Sequence, residues 1–390
     1  MRSTFCGGLP ALGLFFCAAS AQAQEAAEPA FDLAATYRVD LSGVAADGRR
    51  MRSFGLDDLN IEANGDLDQL VDWKGASFHI DVLNNLGDRP NDVAATLQGI
   101  DNIEVAAPKL RLFEIWVEQK LGARTTLRAG LYDLNSEFYS SDASGLLIAP
   151  AFGVGSEIAA TGPNGPSIFP TTALAMRLEQ RFGGTGFARV AVLNATAGAL
   201  GDEHGSALDF HHGVLLIGEA GVEKDGDKFA LGAWGYSQRQ DDIAKVDGAG
   251  DPIRRDARGA YVIAQKALGN QDAPFAASLF LRAGISEGKT TPYKGGWQAG
   301  VLVAHAIPGR DDSQFSFGVN QAYLSESYRD LLRGDGIHTT ATENAIELTY
   351  SDKLTKFLTL QPDLQFIWNR GGDADAQRVT VATLRATLEF

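Results

Sequence analysis

The chain has 390 residues, 45% of them hydrophobic, and a formal net charge of -15. That length suits one large barrel or about two to three soluble domains, while the acidity excludes nucleic acid, which needs clustered positive charge in its partner. Past the N-terminus no apolar run is long enough for a spanning helix, so any membrane crossing must be made by closed strands.

Residues 1–23 read as an export signal. Arg2 gives a positive start, Leu9 to Ala18 is apolar, and Ala21-Gln22-Ala23 fits the small-x-small cleavage pattern. Cleavage is expected after Ala23, leaving 24–390 as one domain. Both cysteines, Cys6 and Cys17, fall inside the signal, so the exported chain is expected to carry no disulfide framework. The bulky Phe16 before Cys17 opposes a lipoprotein signal.

From Phe31 the side chains alternate. Phe31, Leu33, Ala35, Tyr37, Val39 and Leu41 share one face, and Asp32, Thr36, Arg38 and Asp40 the other. Strands are predicted at Asp57 to Asn64 and Ala76 to Val82, followed by a polar loop from Asn84 to Pro108. Next comes LRLFEIWVEQKLGARTTLRAGLYDLNSEFY, residues 110–139. Phe113, Ile115 and Val117 alternate with Glu114, Trp116, Glu118 and Lys120. After Leu121-Gly122-Ala123, Leu127, Ala129 and Leu131 alternate with Thr126, Arg128 and Tyr132. Two amphipathic strands joined by a few residues make an antiparallel hairpin.

Asp133 to Pro170 is a long irregular stretch rich in Gly, Ser and Pro. It holds Leu146, Leu147, Ile148, Phe152, Ile168 and Phe169, too apolar for a solvated tail, and is expected to fold against something. Leu174, Met176 and Leu178 then alternate with Arg177, Glu179 and Arg181, and Ala188, Val190 and Val192 follow a glycine turn. Further strands are predicted at Val214 to Val222, Phe229 to Ser237, Gly259 to Ala267, Ala277 to Ile285 and Trp297 to His305. The series ends with Phe315 to Tyr323, Ile346 to Tyr350, Leu358 to Trp368 and Val379 to Phe390, with Arg239 to Arg258 as a polar loop.

The count is roughly sixteen, and the connections alternate short and long along most of the chain. Membrane barrels sort loop length in this way, with short turns on one rim and long loops on the other, whereas a soluble sandwich has no reason to. The fold expected is all-β: a transmembrane antiparallel barrel of about sixteen strands, with a long loop folded into its lumen. Ala382, Leu384, Ala386, Leu388 and the terminal Phe390 share a face, as a last barrel strand requires. Outward Tyr37, Tyr323, Tyr350, Trp297, Trp368 and Phe390 fit the aromatic girdles at the two membrane interfaces.

LRLFEIWVEQKLG, RAGLYDLNSEFY and GPNGPSIFP, in that order and spacing, resemble the carbohydrate-selective porins of Gram-negative outer membranes, the OprB type. The likeness covers most of the mature chain and is sharpest from Leu110 to Pro170. It implies a barrel in the outer membrane, in contact with its lipid, that passes monosaccharides or polyols by diffusion through a charged, aromatic constriction. Many porins are trimers, and no residue pattern here decides between a homotrimer and a monomer. No cofactor is expected.

Face and spacing nominate the lumen residues. Glu114, Glu118 and Arg128 offer hydroxyl partners, and Trp116 and Tyr132 offer flat rings. Arg38, Arg177, Arg189 and Arg282 form a basic ladder that, opposite carboxylates, sets a transverse field. The segment Asp133 to Glu137 is a candidate to fold inward and narrow the pore. Each assignment has a plainer alternative: a salt-bridged wall, space-filling rings beneath the loop, charge balance, or a strand end.

Asp202, Glu203, His204, Asp209, His211 and His212 cluster in a predicted external loop and match no zinc spacing; a solvated loop is the expected reading. No nucleophile elbow, phosphate loop or H-E-x-x-H occurs, so nothing points to catalysis. Three rival readings remain open: a general porin without selectivity, an outer-membrane barrel enzyme, and a secreted all-β sugar-binding protein.

Overall fold

The computed structural model describes residues 29–199, 210–271 and 273–390. The export signal expected at residues 1–23 and four members of the acidic–histidine cluster, Asp202, Glu203, His204 and Asp209, lie outside them.

The first six strands are β1 (Phe31–Ala45), β2 (Arg52–Asp66), β3 (Ala76–Gly87), β4 (Lys109–Lys120), β5 (Thr125–Tyr132) and β6 (Ala173–Phe182). β7 (Gly186–Asn194), β8 (Val214–Lys224) and β9 (Asp227–Tyr236) continue the wall. β10 (Gln240–Val246) and β11 (Pro252–Arg255) pair only with each other and form a separate hairpin. The wall resumes with β12 (Arg258–Leu268), β13 (Ala276–Ser286), β14 (Tyr293–Ala304) and β15 (Gln314–Leu324). β16 (Thr342–Lys353), β17 (Leu358–Trp368) and β18 (Val379–Glu389) complete it. Every neighbouring pair is antiparallel, and β1 pairs with β18, so sixteen strands close into a barrel. Phe390 seals the seam by exchanging backbone hydrogen bonds with Ala35, at 3.2 and 2.9 Å.

Closure satisfies every strand edge, which is what lets a sheet stand in hydrocarbon. The apolar faces point outward as expected: Leu33, Leu41, Met176, Leu216, Leu231, Leu281 and Leu384 are all exposed on the outer surface. Loop length sorts by rim. Connections 121–124, 183–185, 225–226 and 354–357 lie at one end, and 88–108, 133–172, 237–257 and 325–341 at the other.

Four expectations need correction. The polar loop expected from Arg239 to Arg258 carries strands of its own, the β10–β11 hairpin, and ends before Arg258, where β12 begins. β3 runs on to Gly87, so the polar loop before β4 begins later than Asn84. Phe113 does not continue the outward face of Ile115 and Val117: the β3–β4 register slips between Asp81–Glu114 and Val82–Leu112, leaving Phe113 as the extra residue of a bulge. Phe113 is buried instead, edge-on to Phe169 at 6.1 Å.

The fourth correction concerns the lumen, which is not polar all round. Phe187, Leu193, Leu215, Ile217, Trp234 and Ile263 face inward and are fully or nearly buried. The apolar residues of 133–172 cover them: Leu134, Phe138, Tyr139, Val154 and Ile158 join the same core. The barrel therefore has a dry interior on one side, made by its longest loop, which runs as an inward strap. Further along, Leu147 and Phe152 of the strap pack on Phe280. They fit because Gly318 leaves room: a Cβ there would stand 2.6 Å from both side chains.

Candidate functional site

The strap leaves β5 at Tyr132 and follows the wall round to β17. At its root Asp133 N–H donates to Glu114 Oε1 (2.8 Å), and Ser167 Oγ donates back to Tyr132 O (2.6 Å). Arg189 Nη1 donates to Glu137 O (2.9 Å), and Lys228 Nζ to Ser140 O (2.8 Å). Glu219 Oε2 on β8 accepts both Tyr139 N–H (3.0 Å) and Tyr261 Oη (2.8 Å). Gln265 Oε1 accepts Ser141 Oγ (2.7 Å) and Ala143 N–H (3.1 Å). At the far wall Glu347 accepts the N–H groups of Ile148 and Ala149, and Gln361 Nε2 donates to Leu146 O (2.7 Å). An irregular loop inside a barrel must satisfy its backbone groups somewhere, and these wall side chains do it.

Seven of the nine nominated residues meet at the root of the strap, Arg189 reaching it from β7. Glu114, Trp116 and Glu118 alternate on β4, Arg128 and Tyr132 on β5, and Arg177 faces in from β6. Arg128 and Arg177 share Glu118 Oε2, at 3.1 and 2.6 Å. Arg177 also holds Glu137 of the strap, and Tyr132 Oη donates to the same carboxylate. The Arg128 guanidinium lies 3.7 Å over the Trp116 ring, and His79 stacks on Trp116 at 5.0 Å. Gly130, directly opposite Trp116, has φ +145° and no room for a Cβ against the Ile115 and Trp116 backbone.

The other two nominated residues stand apart. Arg38 on β1 pairs with Asp58 at 2.7 Å and keeps a third of its side chain exposed (34%). Arg282 on β13 is fully buried beneath the strap and donates to three of its carbonyls, Tyr139 O (2.9 Å), Gly153 O (2.7 Å) and Ala151 O (3.2 Å). Trp116, Tyr132, Glu114 and Arg177 are likewise buried. Among the nine, Arg38, Glu118 and Arg128 keep the most side-chain surface open to the lumen.

Sequence reasoning missed the partners supplied by the strap and by a second inward loop, 88–108. Glu343 on β16 accepts Leu97 N–H (2.9 Å), Gln98 N–H (3.0 Å) and Gly371 N–H (2.7 Å). Arg385 on β18 bridges Asp40 (2.6 Å) to Asp101 (3.4 Å) and Asn102 (2.7 Å). The two loops touch where Ser156 Oγ donates to Gln98 Oε1 at 3.0 Å. At Glu343 the available signal was an inward carboxylate with no counter-charge opposite it on the adjacent strand β15; Arg385 gave none, because Asp40 already faces it from β1.

Charge on the strap is set by what surrounds it. Burial pushes the Glu137 carboxyl up, but Arg128, Arg177 and Arg189 together outweigh it and hold the group down to about 2. Asp133 has no such cations: burial raises it to about 7, Asn135 N–H opposes and Asp81 adds to the rise. Fixed, mutually neutralised charges and amides therefore border the open side of the lumen. They can hydrogen-bond a passing solute.

The "Carbohydrate-selective porin, OprB family" matches residues 55–390. Porin B of Pseudomonas aeruginosa is 21% identical over 372 residues, covering 86% of this chain and 81% of that protein. A high-pH structure of Pseudomonas putida OprB superposes with a TM-score of 0.80 at 20% identity, covering 93% of this chain and 94% of that one. Salmonella typhi OmpF, in complex with daunomycin, gives a TM-score of 0.59 at 11% identity over 92% and 97% of the two chains. At those identities the two structures speak for the barrel fold alone. Family and fold together are those of an outer-membrane channel rather than an enzyme, in the Gram-negative setting expected from the motifs, and the chain belongs to the OprB family of carbohydrate-selective porins.

Proposed function

We propose that this porin passes carbohydrates, monosaccharides or polyols, by passive diffusion across the outer membrane. The observation that carries the proposal is the ion-paired cluster at the root of the strap. Glu118, Arg128 and Glu137 border the lumen with their charges already matched, so they offer directed donors and acceptors without a strong net field. Such a border suits a neutral polyhydroxylated solute. The ring faces of Trp116 and Tyr132 take no large part in it, because His79, Arg128 and burial have claimed them. Arg38, Glu118 and Arg128 are the residues assigned to solute contact; Glu114, Trp116, Tyr132, Arg177 and Arg282 hold the wall and the strap.

Swelling of liposomes in glucose, compared with an amino acid of similar size, tests the reading. Faster swelling in glucose is expected, and equal rates would reduce the protein to a general pore. Recovery in a soluble fraction without detergent would favour the secreted binding protein instead. Export by a cleaved signal requires a mature N-terminus at Gln24, which terminal sequencing checks.

A further inference from the structure

On the far side of the strap from its root, a short helix, α1 (Ser156–Ala159), lies against β13 and β14. Its Glu157 is completely buried, and neither carboxyl oxygen has a hydrogen-bond partner among the described residues. The carboxyl occupies a notch floored by glycine. Gly284 on β13 faces inward opposite Gly296 on β14, and a Cβ at Gly284 would collide with Glu157 Oε1 and stand 2.9 Å from Tyr139 Oη. A Cβ at Gly155 would collide with the same two groups. Nothing but glycine at these places admits the carboxyl.

The groups facing Glu157 can be named element by element. Tyr139 comes from the strap itself, with its hydroxyl beside the carboxyl. Arg282 comes from β13 and spends its donors on three strap carbonyls rather than on Glu157. β14 offers Gly296 and Gln298, neither titratable. Behind Tyr139, at 4.2 Å between ring centroids, Tyr261 of β12 donates to Glu219 of β8.

We propose that Glu157 is the positioning residue of the strap: seated in the Gly284 notch as a neutral acid it holds the constriction at its resting width, and on losing its proton it unseats. The proposal rests on the channel reading and adds a regulation to it. Burial is the main reason the carboxyl holds its proton, raising it to about 7; its own backbone N–H, Tyr139 and Arg282 pull the other way without prevailing. The sign follows from linkage. A raised carboxyl favours the seated state fully below its ordinary value near 4.5 and loses that advantage as pH rises through 7. Between pH 6 and pH 8 the seating equilibrium weakens about tenfold.

The experiment is single-channel recording of the full chain in planar bilayers at pH 6 and pH 8. The expected result is an about tenfold rise in the ratio of high- to low-conductance dwell time. Glu157→Gln should abolish that pH shift while leaving the pH 6 trace unchanged. Gly284→Ala, checked for folding by heat-modifiable gel mobility, should show the high level at both values. Asp133→Asn should keep the shift, since Asp133 titrates in the same range at the other end of the strap. A wild-type ratio independent of pH overturns the proposal, as does a shift that survives in Glu157→Gln or vanishes in Asp133→Asn. If no conductance is seen at all, the channel reading fails instead. Strap seating is then read by limited proteolysis, where cleavage within 139–160 must rise from pH 6 to pH 8 in wild type and not in Glu157→Gln.

Discussion

Arg177 grips Glu137 with both arms of its guanidinium, Nε to Oε2 at 2.8 Å and Nη2 to Oε1 at 2.7 Å. One residue belongs to the barrel wall and the other to the strap, so this pair fixes where the constriction begins. Both side chains are largely buried. Removing one partner of such a pair costs about 3–5 kcal/mol, because the remaining charge is left without compensation. Arg177→Leu takes the nearer cation from two carboxylates, Glu118 and Glu137, leaving them to Arg128 at 3.1 and 3.7 Å, so the loss should fall at the low end of that range. We expect the variant to insert normally, since the outward face is untouched, but to conduct more and with greater noise. Planar-bilayer recording checks it, and a wild-type trace would contradict the anchoring role.

Acid should release the same anchor. Glu137 is held down to about 2, so its contribution is fully present above the ordinary carboxyl value near 4.5 and is lost as pH falls through 2. The three arginines keep their charge throughout this range. Channel noise at the root of the strap should therefore rise between about pH 4 and pH 2. Glu137→Gln should show that noise already at neutral pH. This window lies opposite in sign to that of Glu157, so Glu137 loosens the strap as pH falls and Glu157 as pH rises.

Arg282 holds the middle of the strap through three carbonyls, with no carboxylate among the described residues bonded to it. Arg282→Lys keeps the charge but loses the planar fork that reaches Tyr139, Gly153 and Ala151 together. Each hydrogen bond lost from a charged donor is worth about 1.5–3 kcal/mol, without simple additivity. Lysine should therefore rescue little of the defect of Arg282→Met. In both variants proteolysis within 139–153 should exceed wild type, and full rescue by lysine would show that charge alone matters.

At the far wall Glu347 collects the N–H groups of Ile148 and Ala149. Glu347→Ala leaves two buried donors unmatched, at about 1–3 kcal/mol each, and the tip of the strap should swing off β16. The size limit for uncharged sugars should then rise. Liposome swelling with a disaccharide reads this directly: faster uptake than wild type is expected, with Glu347→Gln in between because it retains one acceptor.

The barrel was legible because two periods agreed. Alternation along strands such as Phe31 to Leu41 set the outward face, and loop length set the rims. The bulge at Phe113 was not, since one inserted residue reverses the faces without altering composition. Nor was the dry side of the lumen. Ile217 and Trp234 can be apolar on the inward face because strap residues such as Leu134 and Ile158, far away in the chain, fold over them, and a local pattern does not carry that contact. The same holds for the site. Spacing put Trp116 and Arg128 on the polar face, but whether a ring is open to solute or sandwiched by His79 and a guanidinium depends on a third strand.

Arg128 supplies the prediction that separates wall from filter. Its guanidinium covers Trp116, pairs with Glu118 and lies 3.7 Å from Glu137, yet it keeps surface toward the lumen. If it only braced the wall, Arg128→Ala would resemble a mild Arg177→Leu, raising noise and the flux of every solute alike. If it contacts solute, truncation uncovers the Trp116 ring and removes five donors at once, so glucose flux should change more than that of an amino acid of equal size. Glu114→Ala serves as comparison, because Glu114 is spent on the Asp133 backbone. It should alter the strap without altering the ratio of the two fluxes. The quantity to measure is that ratio in liposome swelling, normalised to wild type. A ratio unchanged in Arg128→Ala would remove Arg128 from the filter and leave it to the wall.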